Sequence, residues 1–126
     1  MTIGDMKILV CDDSILARKQ LKNFLTSLGC NNILEAVNGT TAVETYKSQR
    51  PDLVFLDIVM PEKNGIEATK EIIEFDKDAY IVMASSVGTQ TNLKEALRLG
   101  AKDFIQKPLN TEQIQKVINI VLEGGL

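Results

Sequence analysis

Short apolar runs alternate along this chain with longer segments in which apolar residues recur every three or four positions. The runs are rich in β-branched residues and occupy positions 8–11, 33–36, 53–56, 80–84 and 103–106. Such runs are typical of buried strands, and the spacing between them predicts amphipathic helices. Strands that alternate with helices form a parallel sheet covered on both faces. The pattern therefore predicts an α/β protein of five βα units in three layers.

The ends of the predicted helices carry matching signals. Gly29 and Gly100 follow helical segments, where glycine commonly stops a helix. Two asparagines stand three positions before a Glu or Gln, as in a capping box that opens a helix: Asn64 with Glu67, and Asn110 with Gln113. No repeat or linker interrupts the sequence, so we predict a single domain over residues 1–126.

Composition restricts the function. A net charge of −3 and an isoelectric point near 5.0 argue against direct nucleic-acid binding. No apolar stretch approaches the roughly 20 residues of a membrane span, so we expect a cytoplasmic monomer with no membrane contact. The chain has no histidine, which rules out a Ser-His-Asp or Cys-His site and histidine metal ligands from this chain alone. Carboxylates must carry the chemistry.

Polar residues follow several of the predicted strands. Asp12 and Asp13 come after the first strand, Asp57 after the third, Ser85 after the fourth and Lys107 after the fifth. Ligands of open parallel sheets bind outside the carboxyl ends of the strands. Clustered carboxylates repel one another, and a hard divalent cation relieves that repulsion. The pattern predicts a Mg²⁺ site, in which Mn²⁺ or Ca²⁺ can substitute.

Asp57 is also a candidate nucleophile, because a carboxylate can attack phosphorus to form an aspartyl phosphate. The transferred phosphoryl group spreads negative charge over three oxygens, so it requires several positive or hydrogen-bonding partners. The metal, Lys107 and Ser85 are the candidates for those partners. Taken one at a time, the same residues suit plain structural roles, with Asp12-Asp13 as a helix-capping turn.

The joint pattern resembles the receiver domain of two-component response regulators, over residues 7–122. The residues that carry the resemblance are Asp12-Asp13, Asp57 with Met60-Pro61 and Gly65, Ser85, and Lys107-Pro108. The resemblance implies a flavodoxin-like fold with strand order 2-1-3-4-5. It also implies that a partner histidine kinase phosphorylates Asp57 and that the protein is no enzyme beyond its own Mg²⁺-dependent phosphorylation and dephosphorylation.

The resemblance assigns further roles. Asp13, Asp57 and the backbone carbonyl of Val59 would bind Mg²⁺, with Asp12 acting largely through water. Lys107 would pair with the phosphoryl group, and the bond between Lys107 and Pro108 would be cis. Ser85 would move to hydrogen-bond the phosphate.

Phe104 stands where the family places an aromatic ring that turns inward on activation, which changes the face of the fourth helix, fifth strand and fifth helix. An aromatic residue in a strand can equally belong to the core. Val59 and Val87 are apolar where many relatives carry amides or acids, which favours slow self-dephosphorylation and a role for a partner phosphatase.

Alternatives differ in function. A dehalogenase-type hydrolase would need a second acid where Val59 stands, and a flavin carrier would not place Asp12-Asp13 after the first strand. A phosphorylation-independent interaction module remains open. Among receivers, segments such as Asn38-Gly39 and 100–104 favour a single-domain, CheY-like chemotaxis regulator with a target such as the flagellar motor switch. A phosphorelay intermediate, or the receiver of a longer regulator, is the alternative.

Overall fold

The structure is a computed structural model that describes residues 1–86, 90–108 and 110–124, without the side chains of Ser85 and Gln90. A short 3-10 helix precedes five alternating strand-helix units. The strands are β1 (Lys7–Cys11), β2 (Asn32–Ala36), β3 (Leu53–Asp57), β4 (Ile81–Ser85) and β5 (Asp103–Gln106). The helices are α1 (Ile15–Ser27), α2 (Gly39–Gln49), α3 (Gly65–Phe75), α4 (Gln90–Leu99) and α5 (Thr111–Leu122). All five predicted strands are present, each within one residue of its predicted bounds.

The five strands form one sheet in the order β2-β1-β3-β4-β5. Every neighbouring pair is parallel, with Cys11 opposite Leu56 and Asp57 opposite Ala84. The predicted flavodoxin-like order is therefore confirmed. Because the order reverses between β1 and β3, the carboxyl ends of these two strands border the crevice in which such sheets bind ligands.

Two apolar layers enclose the sheet because successive side chains of a strand point to opposite faces. One face packs against α2, α3 and α4, and its strand residues include Leu9, Leu56 and Met83. The other face packs against α1 and α5 and includes Val10 and Phe55. Among the described helices, none combines the length and the apolar character needed to cross a membrane.

Both predicted asparagine caps are present, but only the cap at Asn64 forms a reciprocal capping box. Asn64 and Glu67 form a reciprocal capping box at the start of α3, with N···O distances of 2.9 and 3.3 Å. Asn110 accepts a hydrogen bond from the Gln113 backbone N–H at 3.1 Å, but the Gln113 side-chain amide donates instead to the backbone oxygen of Phe104 at 3.0 Å. The start of α5 is thereby attached to β5.

Candidate functional site

Three carboxylates meet at the carboxyl end of the sheet. Asp12 directly follows β1 and Asp57 ends β3, the strand paired with β1. One oxygen from each of Asp12, Asp13 and Asp57 lies within 4.8 Å of the others. Asp12 and Asp57 are only 6% and 7% exposed, whereas Asp13 is exposed to solvent. The strand ends thus bring the three predicted acids together, and the exposed one leaves the cluster open to solvent on its side.

Lys107 bridges the two buried acids from the end of β5. Its Nζ lies 2.7 Å from Oδ2 of Asp12 and 3.2 Å from Oδ2 of Asp57. The bond from Lys107 to Pro108 is cis, as the resemblance implied. One ammonium therefore faces two carboxylates in a part-buried setting, where a charge-assisted hydrogen bond is stronger than a neutral one.

The charges at this site alter one another's protonation. Burial, followed by the negative charge of Asp12, raises the pKa of Asp57 from 3.8 to about 6, although Lys107 opposes the rise. Burial alone would lower the pKa of Lys107, but its hydrogen bond to Asp12 and the charge of Asp57 outweigh burial and raise it. Lys107 therefore stays charged. The ionised form of Asp57 is disfavoured at this site, and a further cation would reduce that cost.

Asp12 is held by both its backbone and its side chain. Its backbone N–H donates to Ala36 O on β2 at 3.1 Å, and its Oδ1 accepts from Ser14 N at 2.9 Å. The cap of α1 is Ser14, whose side chain accepts from Ala17 N at 3.2 Å. The structural alternative for this turn, in which Asp12 or Asp13 caps the helix, is therefore wrong.

The turn after β3 leaves no room for a side chain at Gly65. A Cβ built there would lie 2.2 Å from the backbone oxygen of Asp57 and 2.9 Å from Cα of Ile58. The Gly65 N–H donates to Ile58 O at 2.8 Å. Val59, in the same turn, is 61% exposed. Glycine therefore lets α3 begin directly against the backbone that carries Asp57.

The predicted switch residues lie on β4 and β5. Ser85 ends β4 opposite Gln106, but its side chain is outside the described part of the structure, as is all of Val87. Phe104 is 38% exposed, so it is not the core residue that the alternative interpretation required. The inward movement of its ring stays a prediction.

Sequence reasoning missed two residues that contact the Asp12 backbone or side chain. Ser14 closes the turn, and Arg18 Nη1 donates to the Asp12 backbone oxygen at 2.7 Å. The signal for Ser14 was a capping residue just before the first apolar helical position. Nothing in the sequence pattern indicated that Arg18 reaches back past a full helical turn.

Comparisons with known proteins agree with this geometry. The profile of the response regulator receiver domain matches residues 8–119. The chain belongs to the response regulator receiver domain family. It is 44% identical over 115 residues to the chemotaxis protein CheY of Thermotoga maritima, covering 91% of this chain and 96% of that protein. It is also 44% identical to CheY of Bacillus subtilis, covering 92% and 97% of the two chains.

A similar solved structure is a complex of CheX with CheY, BeF3 and Mg²⁺ from Borrelia burgdorferi. Its matching chain is 39% identical, with a TM-score of 0.85, and the match covers 93% of this chain and 89% of that one. The chain is thus a receiver domain of the two-component type and is similar to single-domain CheY proteins. Receivers bind Mg²⁺ at an acidic pocket, and the carboxylate cluster at the end of β1 and β3 suits such a hard cation.

Proposed function

We propose that this receiver domain is a phosphorylation-activated switch in which Asp57 accepts a phosphoryl group from a histidine kinase in a Mg²⁺-dependent reaction. The observation that carries the proposal is the placement of Asp57, a buried carboxylate among two further acids with the Lys107 ammonium 3.2 Å away. This set supplies a nucleophile and a counter-charge in one place. The 126 residues contain no histidine, so the phosphohistidine donor lies outside them.

In the reaction, a carboxylate oxygen of Asp57 attacks phosphorus and forms a P–O bond. The P–N bond to the kinase imidazole breaks, and its electron pair returns to the ring nitrogen. Lys107 offsets the charge on the phosphoryl oxygens. Bound Mg²⁺ would supply further positive charge there, held by Asp13, Asp57 and the backbone carbonyl of Val59, with Asp12 acting through water. The protein would catalyse only the formation and hydrolysis of its own aspartyl phosphate and would turn over no other substrate.

Residues on β4 and β5 would transmit the effect of phosphorylation to the surface that binds a partner. Ser85 would move to hydrogen-bond the new phosphate, and Phe104 would turn inward. Phe104 and Leu97 are 38% and 39% exposed, so the face of α4, β5 and α5 has apolar side chains whose exposure can change. Phosphorylation would stabilise one of two arrangements of that face by differential contacts.

The similarity to CheY proteins supports a chemotaxis pathway, with a cytoplasmic monomer that binds a target such as the flagellar motor switch. A phosphatase partner is also expected, because the apolar residues Val59 and Val87 favour slow self-dephosphorylation. The similar solved structure pairs a CheY chain with a second protein, CheX.

The phosphorylation step is tested by incubating the protein with Mg²⁺ and acetyl phosphate and measuring its intact mass. We expect wild type to gain one phosphoryl group and Asp57→Asn to gain none. Asp78→Asn removes an equal charge at an exposed position and should be phosphorylated as wild type. Equal incorporation into wild type and Asp57→Asn would refute the assignment.

The pathway is tested separately, by titrating a flagellar motor-switch peptide with unmodified and phosphorylated protein. Chemotaxis predicts tighter binding after phosphorylation. An affinity that phosphorylation leaves unchanged would contradict the chemotaxis function without touching the assignment of Asp57. Transfer of the phosphoryl group onward to a histidine phosphotransfer protein would instead favour the phosphorelay alternative.

A further inference from the structure

Arg18, on the first turn of α1, connects the acidic site to β2. Its Nη1 donates to the backbone oxygen of Asp12 at 2.7 Å, and its Nε lies 3.3 Å from Oε1 of Glu35. The Arg18 side chain is only 13% exposed. A guanidinium presents donors in a rigid planar fork, so one side chain can satisfy both partners in a fixed geometry.

The accepting oxygen belongs to the peptide group that joins Asp12 to Asp13. Since a peptide group is planar, the direction of its carbonyl sets the placement of both flanking Cα atoms. The other side of Asp12 is fixed by the hydrogen bond from its N–H to Ala36 O at 3.1 Å. Arg18 and Ala36 together therefore fix the backbone from which the first two acids project.

The stability of α1 does not explain why a cation stands at position 18. A positive charge near a helix N-terminus opposes the helix dipole, and the first turn of α1 holds no acidic residue to compensate. Lys22 also lies 3.4 Å from the Glu35 carboxylate, so the ion pair with Glu35 does not require an arginine at position 18. The contact that distinguishes Arg18 from Lys22 is the one to Asp12.

We infer that Arg18 is a positioning residue for the Mg²⁺ site: it holds the Asp12–Asp13 peptide so that the two carboxylates face Asp57, and Glu35 orients it. This inference rests on the proposed function, since it concerns the same metal site. Outer groups that orient metal ligands typically contribute 10–100-fold in metal affinity. Because Arg18 acts through the backbone, we expect an effect of about ten-fold, at the low end of that range.

Loss of the positive charge of Arg18 and loss of its positioning role would change the Mg²⁺ affinity in opposite directions. The positive charge of Arg18 repels a cation, so loss of that charge alone would tighten Mg²⁺ binding. Loss of positioning would weaken it. Arg18→Lys separates the two effects further, because it keeps the charge but replaces the planar fork with a single ammonium.

The test is calorimetric titration of the purified full chain with MgCl2 alone, with no phosphoryl donor. We expect Arg18→Met and Arg18→Lys to bind Mg²⁺ several-fold to ten-fold more weakly than wild type, and Glu35→Gln to show a smaller loss. Lys22→Met removes the other cation beside Glu35 and should bind as wild type. Urea unfolding in EDTA reports separately whether each variant is folded and how stable it is.

A stability loss in Arg18→Met with unchanged or tighter Mg²⁺ binding would overturn the inference, because it would leave Arg18 a purely structural or electrostatic role. If Arg18→Met does not fold, Arg18→Lys and Glu35→Gln carry the same test. The inference also predicts that Arg18→Lys needs more Mg²⁺ for half-maximal phosphorylation by acetyl phosphate but reaches the wild-type rate at saturation. Asp13→Asn tests the site itself: if wild type binds no Mg²⁺, or Asp13→Asn binds it equally, the proposed metal site fails rather than the role of Arg18.

Discussion

Replacing Asp57 by Asn should make the metal-free protein more stable at neutral pH. Burial and the charge of Asp12 raise the pKa of Asp57 to about 6 in the folded protein, against 3.8 for the unconstrained group. Between these values the native state binds more protons than the unfolded state, so the free energy of unfolding falls as pH rises. Above pH 6, the ionised carboxylate is a net cost to the fold. Asn has nearly the shape of the protonated acid and avoids that cost.

The magnitude follows from the shift. Each pKa unit corresponds to about 1.4 kcal/mol, so the rise in the pKa of Asp57 from 3.8 to about 6 gives roughly 3 kcal/mol. Asp57 is 7% exposed, so solvent screening reduces this value only slightly. We therefore expect Asp57→Asn to raise the free energy of unfolding by roughly 3 kcal/mol at pH 7 and by less than about 1 kcal/mol at pH 4, where the wild-type acid is protonated in the fold.

The assay is urea unfolding followed by far-UV circular dichroism from pH 4 to 8 in EDTA. Asp78→Asn, the exposed control, should stay within about 0.5 kcal/mol of wild type at every pH. Adding Mg²⁺ should stabilise wild type more than Asp57→Asn, since a ligand stabilises the state that binds it. An Asp57→Asn protein no more stable than wild type at pH 7 would refute the reasoning, because Lys107 would then outweigh burial and repulsion.

Three further results are expected. Gly65→Ala places a Cβ 2.2 Å from the Asp57 backbone oxygen and should cost about 2 kcal/mol or more in urea unfolding. Gly4→Ala is the control and should change stability little, because the nearest atom to its Cβ would be a side-chain nitrogen at 3.2 Å. Lys107→Met leaves two buried carboxylates without their shared cation and should lower the free energy of unfolding by about 3 kcal/mol at pH 7 in EDTA; an unchanged value would contradict the pairing. Val59→Asn supplies a polar group beside Asp57 and should speed phosphate loss, measured by mass spectrometry after acetyl phosphate is removed, and an equal or slower loss would count against slow self-dephosphorylation in wild type.

The strand ends explain why the sequence predicted the acidic cluster so well. Short apolar runs locate the strands to within one residue, and a parallel sheet then brings their carboxyl ends to one edge. The convergence of Asp12, Asp57 and Lys107 follows from that topology without any knowledge of loops. The capping box at Asn64 was equally readable, because its two hydrogen bonds are local in sequence.

Contacts between elements distant in sequence could not be predicted in the same way. Gln113 fits the capping pattern at Asn110, yet its side chain bonds to β5 because the packing of α5 against the sheet presents a carbonyl there. Arg18 contacts Asp12 because α1 begins soon after β1 and because the Arg18 side chain extends toward the N-terminus of α1. Apolar periodicity does not report where a polar side chain ends, so these tertiary contacts were missed.

The charges at the site suggest how the proposed phosphorylation would produce an output. Three carboxylates and one ammonium leave a local charge of −2, which one divalent cation would balance. The proposed phosphorylation would replace the single negative charge of Asp57 by about two, so roughly one negative charge would again be uncompensated. Arg18 is already paired with Glu35 on the α1 side of the site. In the proposed switch, the new charge would therefore act mainly on Lys107 at the end of β5 and, as the family resemblance implies, on Ser85 at the end of β4. These two strands border the proposed output face.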